Sequence, residues 1–220
     1  MRKYLVLIST LCITILAAAQ VQVRNEPRHH NVFENKYARV LDVYLPPGDT
    51  TLYHMHSTPS VFIVFTNTNV GSQLIGKQSQ KGANITGEVS YDSLNTPRIH
   101  RVWNEDTSWF HVMDIELTGT KSKTNIPVLQ SQGLKLLFNK QQLNGYNLEL
   151  TAANNLRLPA SENGYLLISK SGSAVEFKID DVVQDRIMKP SHYIWIAAGK
   201  NISVKTTDAQ TANFVLLQFK

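Results

Sequence analysis

From Tyr37 onward, apolar and polar positions alternate with a period of two, the signature of strands that bury one face. In Arg39-Val40-Leu41-Asp42-Val43-Tyr44-Leu45 the residues Leu41, Val43 and Leu45 share a face, and Pro46-Pro47-Gly48-Asp49 then supplies a turn. The same reading predicts strands at 51–56, 61–66, 88–91, 100–103 and 109–117. They are short, β-branched or aromatic, and separated by turn residues, which predicts an all-β antiparallel sandwich or barrel. No segment offers an amphipathic helix of a dozen residues. The polar segment 71–87, with four glycines, is expected to be a long loop holding a short strand at 74–75. A polar, unpatterned stretch at 119–125 marks a connection. Strand signals then resume at 146–150, 165–169, 175–179, 193–196, 202–204 and 214–219. This order repeats that of the first half, so the pattern predicts a duplication whose halves pack sheet against sheet.

Composition narrows the class. With 42% hydrophobic and 18% charged residues among 220, the chain has the apolar content to build a core, and global disorder is excluded. Its one cysteine, Cys12, excludes an intramolecular disulfide framework and any Cys-based site in the folded body. Residues 1–19 read as a secretory signal: Arg2 and Lys3 are the positive start, 5–16 the apolar stretch, and Ala17-Ala18-Ala19 the cleavage site before Gln20. The expected location is the periplasm or outside the cell, and no later run is long enough to span a membrane. Loss of Arg2 and Lys3 lowers the net charge from +5 to +3. The remaining Lys and Arg are scattered, so a nucleic-acid partner is not expected.

Seven histidines carry the candidate chemistry: 29, 30, 54, 56, 100, 111 and 192. His54 and His56 are two apart on an expected strand, so both imidazoles point to one face and can grip one ion. Alone, such a pair can equally be two polar residues on a solvated face. His29 and His30 are expected at the surface, since adjacent residues point oppositely and at most one can face a cavity. His192 is expected to be an ordinary surface or packing histidine.

The wider frame favours the ion. Gly48 is followed after five residues by His54-Met55-His56, and downstream comes His100-Arg101-Val102-Trp103-Asn104. In order and approximate separation these resemble the two metal motifs of the cupin superfamily, and the segment 34–43 looks like the first strand of small bacterial cupins. The resemblance covers residues 30–118. It implies a small jelly-roll barrel, or double-stranded β-helix, with one divalent metal inside its mouth. It also implies His54, His56 and His100 as metal ligands and Asn104 as the residue closing the turn after the second-motif strand. Two positions depart from the family pattern. Ser60 and Val61 stand where its glutamate ligand would fall, and Asn95 and Pro97 replace its Pro-x-Gly turn. In the second half, 199–206 keeps the second-motif frame, but Ile202 replaces the histidine and Thr206 the asparagine, and no His-x-His follows the connection. The expected organisation is thus a bicupin: a metal-site barrel at 20–120 and a degenerate barrel at 121–220.

Three neutral imidazoles would leave the ion its full charge and open positions, favouring an anionic, bidentate guest. Imidazole serves Fe, Mn, Ni, Cu and Zn, so the metal is not readable. The resemblance implies a small-molecule partner and a dioxygenase-like oxidoreductase or an isomerase. The alternative is a non-catalytic cupin that binds a sugar or anion or is structural; a homodimer is left open. Gln73 is a candidate for the missing ligand, against its reading as a solvated loop residue. His111 shares a face with Met113, Ile115 and Leu117, which makes it a hydrogen-bonded core residue or a neighbour of the site. Tyr53, Phe62, Trp103 and His111 are expected to line or fill the cavity, and no carboxylate is placed as a general base. Metal affinity is expected to fall as the pH drops through about 6.5, the ordinary imidazole value.

Overall fold

A computed structural model describes residues 20–120 and 126–220; the expected signal segment 1–19 and most of the connection at 119–125 lie outside them. The described residues form strands and turns, with one 3-10 turn at Val23–Asn25. The first half contains β1 (Val21–Gln22), β2 (His29–Glu34), β3 (Arg39–Leu45), β4 (His54–His56), β5 (Ser60–Val64), β6 (Thr68–Leu74), β7 (Gln80–Asn84), β8 (Val89–Asp92), β9 (Arg98–Asn104) and β10 (Phe110–Glu116). The second contains β11 (Leu134–Asn139), β12 (Leu143–Leu150), β13 (Leu156–Leu158), β14 (Tyr165–Ser169), β15 (Ser173–Ile179), β16 (Val182–Met188), β17 (Tyr193–Ile196), β18 (Ile202–Thr206) and β19 (Ala212–Phe219).

Each half is two sheets facing one another. The first pairs the order β1-β4-β9-β6-β7 with β2-β3-β10-β5-β8, and the second pairs β13-β18-β15-β16 with β11-β12-β19-β14-β17. Strand for strand, the second set repeats the first with nine added to each label, β1 having no counterpart. The fold is therefore all-β, a jelly-roll barrel in duplicate. Side-chain detail follows the duplication: the Asp106 N–H donates to Asn104 Oδ1 at 2.9 Å, and the Asp208 N–H donates to Thr206 Oγ1 at 3.2 Å. With Thr206 standing for Asn104, Ile202 stands for His100, and Leu158 faces Ile202 across the ladder as His54 faces His100.

The interiors of the two barrels differ. The second is filled by a cluster that includes Tyr146, Tyr165, Phe177, Phe214, Leu158 and Ile202. A separate cluster joins the barrels: Val40, Val61, Ile63, Met113 and Ile115 from the first meet Leu166, Ile168, Val215, Leu217 and Phe219 from the second. Alternation produces both layers from the same strands, since Phe214 and Leu216 face the second interior while Val215 and Leu217 face the neighbouring barrel. Likewise β10 is buried along its whole length, with odd positions at the joint and Phe110, Val112 and Asp114 facing the first interior.

Several elements depart from the sequence expectation. Segment 71–87 is not a loop: β6 and β7 pair as an antiparallel hairpin. Its polarity arises because β7 is an exposed edge strand, and Gly71 is there because a Cβ would run into the Trp103 indole across the ladder. β2 precedes the first strand anticipated, and β11, β13 and β16 were also not anticipated. β16 lies almost wholly in solvent at a sheet edge, so neither of its faces had to be apolar.

Candidate metal centre

β4 and β9 run antiparallel with His54 opposite His100 and His56 opposite Arg98, so alternation sends all four side chains to the interior. One nitrogen from each of His54, His56 and His100 lies within 4.8 Å of the others. The His54 Nδ1–H donates to the Leu52 carbonyl at 2.9 Å, which leaves Nε2 as the lone-pair nitrogen, buried and without a partner. His56 Nε2 stands 3.0 Å from His100 Nε2. Two lone pairs do not meet at that distance without a proton or a cation between them. The separation is that of two nitrogens each roughly 2.1 Å from one ion, with bonds meeting near a right angle. The donor set therefore fits a divalent metal.

The imidazoles are held in the donor state. His54 is lowered to about 4, His56 to about 2 and His100 to about 3. Burial is the main cause for all three. It is followed by the charge of His29 on His54, of His100 and His54 on His56, and of His54 and Arg98 on His100. Burial thus keeps the three imidazoles neutral below the pH at which an ordinary imidazole takes up a proton.

Two acidic groups flank the cluster. Asp114 is fully buried, neither carboxylate oxygen has a hydrogen-bond partner, and Oδ2 is 3.5 Å from His56 Nδ1. Burial, reinforced by the nearby charge of Glu116, raises it to about 8. Asp114 thus brings to the histidine cluster a carboxyl that sequence reading does not place there. Alternation does not single Asp114 out, because both faces of β10 are buried, one against the second barrel and one against the cavity. On the other side, His29 lines the cavity with its ring 4.7 Å from that of His54, against the expectation of a surface position; His30 is exposed. The His29 Nδ1–H donates to Glu26 Oε2 at 2.7 Å, so Nε2 is the free nitrogen. Glu26 also accepts from the Arg28 N–H at 2.6 Å and the Leu52 N–H at 3.1 Å. Burial pushes its carboxyl up, but these hydrogen bonds outweigh it and the net shift is downward.

The cluster opens on a cavity of about 430 Å³ whose walls are mainly Val43, Leu45, Phe62, Val64, Phe110 and Val112. Of the four residues expected to line or fill it, Phe62 alone does so. Tyr53, Gln73 and Trp103 lie on the outer face of the same sheet. There Gln73 Oε1 accepts from the Tyr53 hydroxyl at 2.7 Å and from Arg101 at 2.8 Å, and the Trp103 indole N–H donates to Glu105 at 2.8 Å. Gln73 is thus neither a ligand nor a solvated loop residue. His111 sits on the joint side of β10, 2.8 Å from Asp42 Oδ1 and stacked on Tyr44 with ring centres 3.9 Å apart. It is a paired core histidine and touches no part of the cavity. His192 is exposed.

No family model matches the sequence, and no curated protein matches it by sequence. Solved structures do match the fold. A cupin 2 conserved barrel domain protein from Leptotrichia buccalis is 12% identical with a TM-score of 0.57, over 87% of this chain and 88% of that one. A salicylate 1,2-dioxygenase from Pseudaminobacter salicylatoxidans is 10% identical with a TM-score of 0.58, over 84% and 71%. An oxalate decarboxylase with Mn(II) centres from Bacillus subtilis is 8% identical with a TM-score of 0.57, over 90% and 76%. Two jelly-roll barrels in tandem, one filled and one hollow around a three-histidine cluster, give this chain the fold of the cupin superfamily in its bicupin form.

Proposed function

We propose that the chain is exported, is cleaved before Gln20, and uses its first barrel, residues 20–120, to bind one divalent metal and act on a small molecule. The ligands are the Nε2 atoms of His54, His56 and His100, and the chemistry is that of a metal-dependent oxidoreductase of the dioxygenase kind or of an isomerase. The second barrel is the scaffold. The observation that carries this reading is the placement of three neutral imidazoles on the wall of an open, apolar cavity. A structural staple would sit in a filled interior such as that of the second barrel.

When bound, the metal supplies Lewis-acid polarisation and coordination positions for a guest. The protein supplies the rest. Leu52 fixes the tautomer of His54, Glu26 fixes that of His29 at the cavity wall, and the apolar lining limits water. A dioxygenase and a Mn(II) decarboxylase share the fold, but at this identity they support the architecture and not a substrate.

Elemental analysis of untagged protein, followed by an oxygen-uptake screen of the Fe(II)-loaded form against thiols, diketones and phenolics, tests the reading. One equivalent of metal with turnover is the expected result. Protein that arrives metal-free and refuses Fe, Mn, Ni, Cu and Zn would overturn it, and metal binding without turnover in any assay would leave a binding module.

A further inference from the structure

Arg98 is a cation of the cavity with a buried donor to spare. The period of β9 puts it on the same inward face as His100 and Val102, directly across the ladder from His56. Its Nη1 meets Asp92 Oδ2 at 2.6 Å, and Asp92 belongs to β8 of the opposite sheet, so the guanidinium reaches across the barrel between the sheets. That ion pair occupies one side of the group. Nε is buried and has no hydrogen-bond partner among the described residues. A buried N–H without an acceptor is costly, and the edge of a guanidinium that carries Nε is one of those that match the two oxygens of a carboxylate. An aliphatic and aromatic wall continues from Arg98 through Phe62, Val64, Phe110 and Val112. The cavity therefore sets one guanidinium beside a neutral histidine cluster and a largely apolar wall, with Ser72, Asn84, Glu88 and Ser90 as further polar lining.

We propose that the guest is a small organic carboxylate with an apolar body, its carboxylate seated on the Nε edge of Arg98 beside the histidine cluster. The proposal rests on the reading of this cavity as a small-molecule site and adds the class of molecule. A neutral sugar would leave the Arg98 donor without a charged acceptor. An inorganic anion would leave the apolar wall uncovered. The competing reading is that Arg98 and Asp92 only strap the two sheets together.

Calorimetric titration with benzoate, phenylacetate and isovalerate, each against its neutral amide, separates the two readings. It is run on metal-free and metal-loaded wild type, Arg98→Gln, Arg98→Lys and Asp92→Asn, with circular dichroism to check the fold. At least one acid should bind the wild type about tenfold or more tightly than its amide, the scale of a charge-assisted bidentate contact. Arg98→Gln should abolish the preference, and Arg98→Lys should reduce it because a point charge lacks the fork. Asp92→Asn should keep or strengthen it by removing the competing acceptor. A wild type indifferent to charge, or a preference that survives unchanged in Arg98→Gln or Arg98→Lys, overturns the proposal. Should Arg98→Gln fail to fold, Arg98→Lys and Asp92→Asn still decide. Metal content measured on the same samples keeps the two readings apart. Carboxylate preference in protein that takes up no metal sinks the metal-dependent function alone, and metal uptake without preference sinks this inference alone.

Discussion

Asp114 makes the stability of the metal-free protein depend on pH in a direction opposite to that of an ion-paired carboxylate. Its folded value of about 8 lies well above the ordinary 3.8 because burial disfavours the anion. Between those values the folded carboxyl keeps a proton that the unfolded chain has released. Stability is therefore full below about pH 4 and is lost as the pH rises to 8. Each pH unit in this window contributes about 1.4 kcal/mol, so the loss from this one group is on the order of 5 kcal/mol. The three site imidazoles act in the other sense, since they stay neutral in the fold but take up protons in the unfolded chain below about pH 6.5. Comparing wild type with Asp114→Asn cancels that contribution. In urea unfolding of chelator-treated protein at pH 5, 6, 7 and 8, the difference between the two should swing in favour of the variant by roughly 4 kcal/mol from the first pH to the last. Parallel stability curves would mean that Asp114 is ionised in the fold, and the account of the site's electrostatics would fall with it.

Conversion of His54, His56 and His100 together to alanine should remove every equivalent of bound metal; one equivalent retained in elemental analysis would place the site elsewhere. Metal affinity of the wild type, followed by competition with a chelator of known proton affinity, should lose no more to proton competition at pH 5 than at pH 7 and should fall only near pH 4, where His54 titrates. Gly164 has φ +86°, and a Cβ there would run into the Ile196 carbonyl, so Gly164→Ala should cost roughly 2–4 kcal/mol in urea unfolding. Protein recovered from outside the cytoplasm of its native host should begin near Gln20, and an intact Met1 there would refute cleavage.

Parity explains much of what the sequence disclosed and what it withheld. Short apolar runs bounded by turn residues were legible, β14 and β17 to the residue, because both faces of these strands pack against apolar neighbours. Edge strands such as β7 and β16 impose no such demand. Within the site, His54 and His56 share a face by spacing alone, and the same rule places Tyr53 opposite to them and Trp103 opposite to His100. Gln73 needed the ladder register, which pairs it with Arg101 on the outside. His29, Glu26 and Asp114 were beyond reach for a different reason: the first two depend on β1, the 3-10 turn and β2 docking beside β4, and the third on a strand whose second face is covered by another barrel.

That doubly covered strand bears on how such a protein can diversify. Along β10, Val112 and Asp114 shape the cavity while Met113 and Ile115, one residue away, lock the barrels together. Remodelling the rear of the pocket therefore disturbs a joint on which both halves depend, and close-packed interiors do not absorb such changes freely. The β6–β7 hairpin carries no comparable burden, since its outer strand is exposed and its inner strand offers Val70 and Ser72 to the same cavity. A change of cavity shape therefore disturbs less of the fold when made at the hairpin than when made along β10.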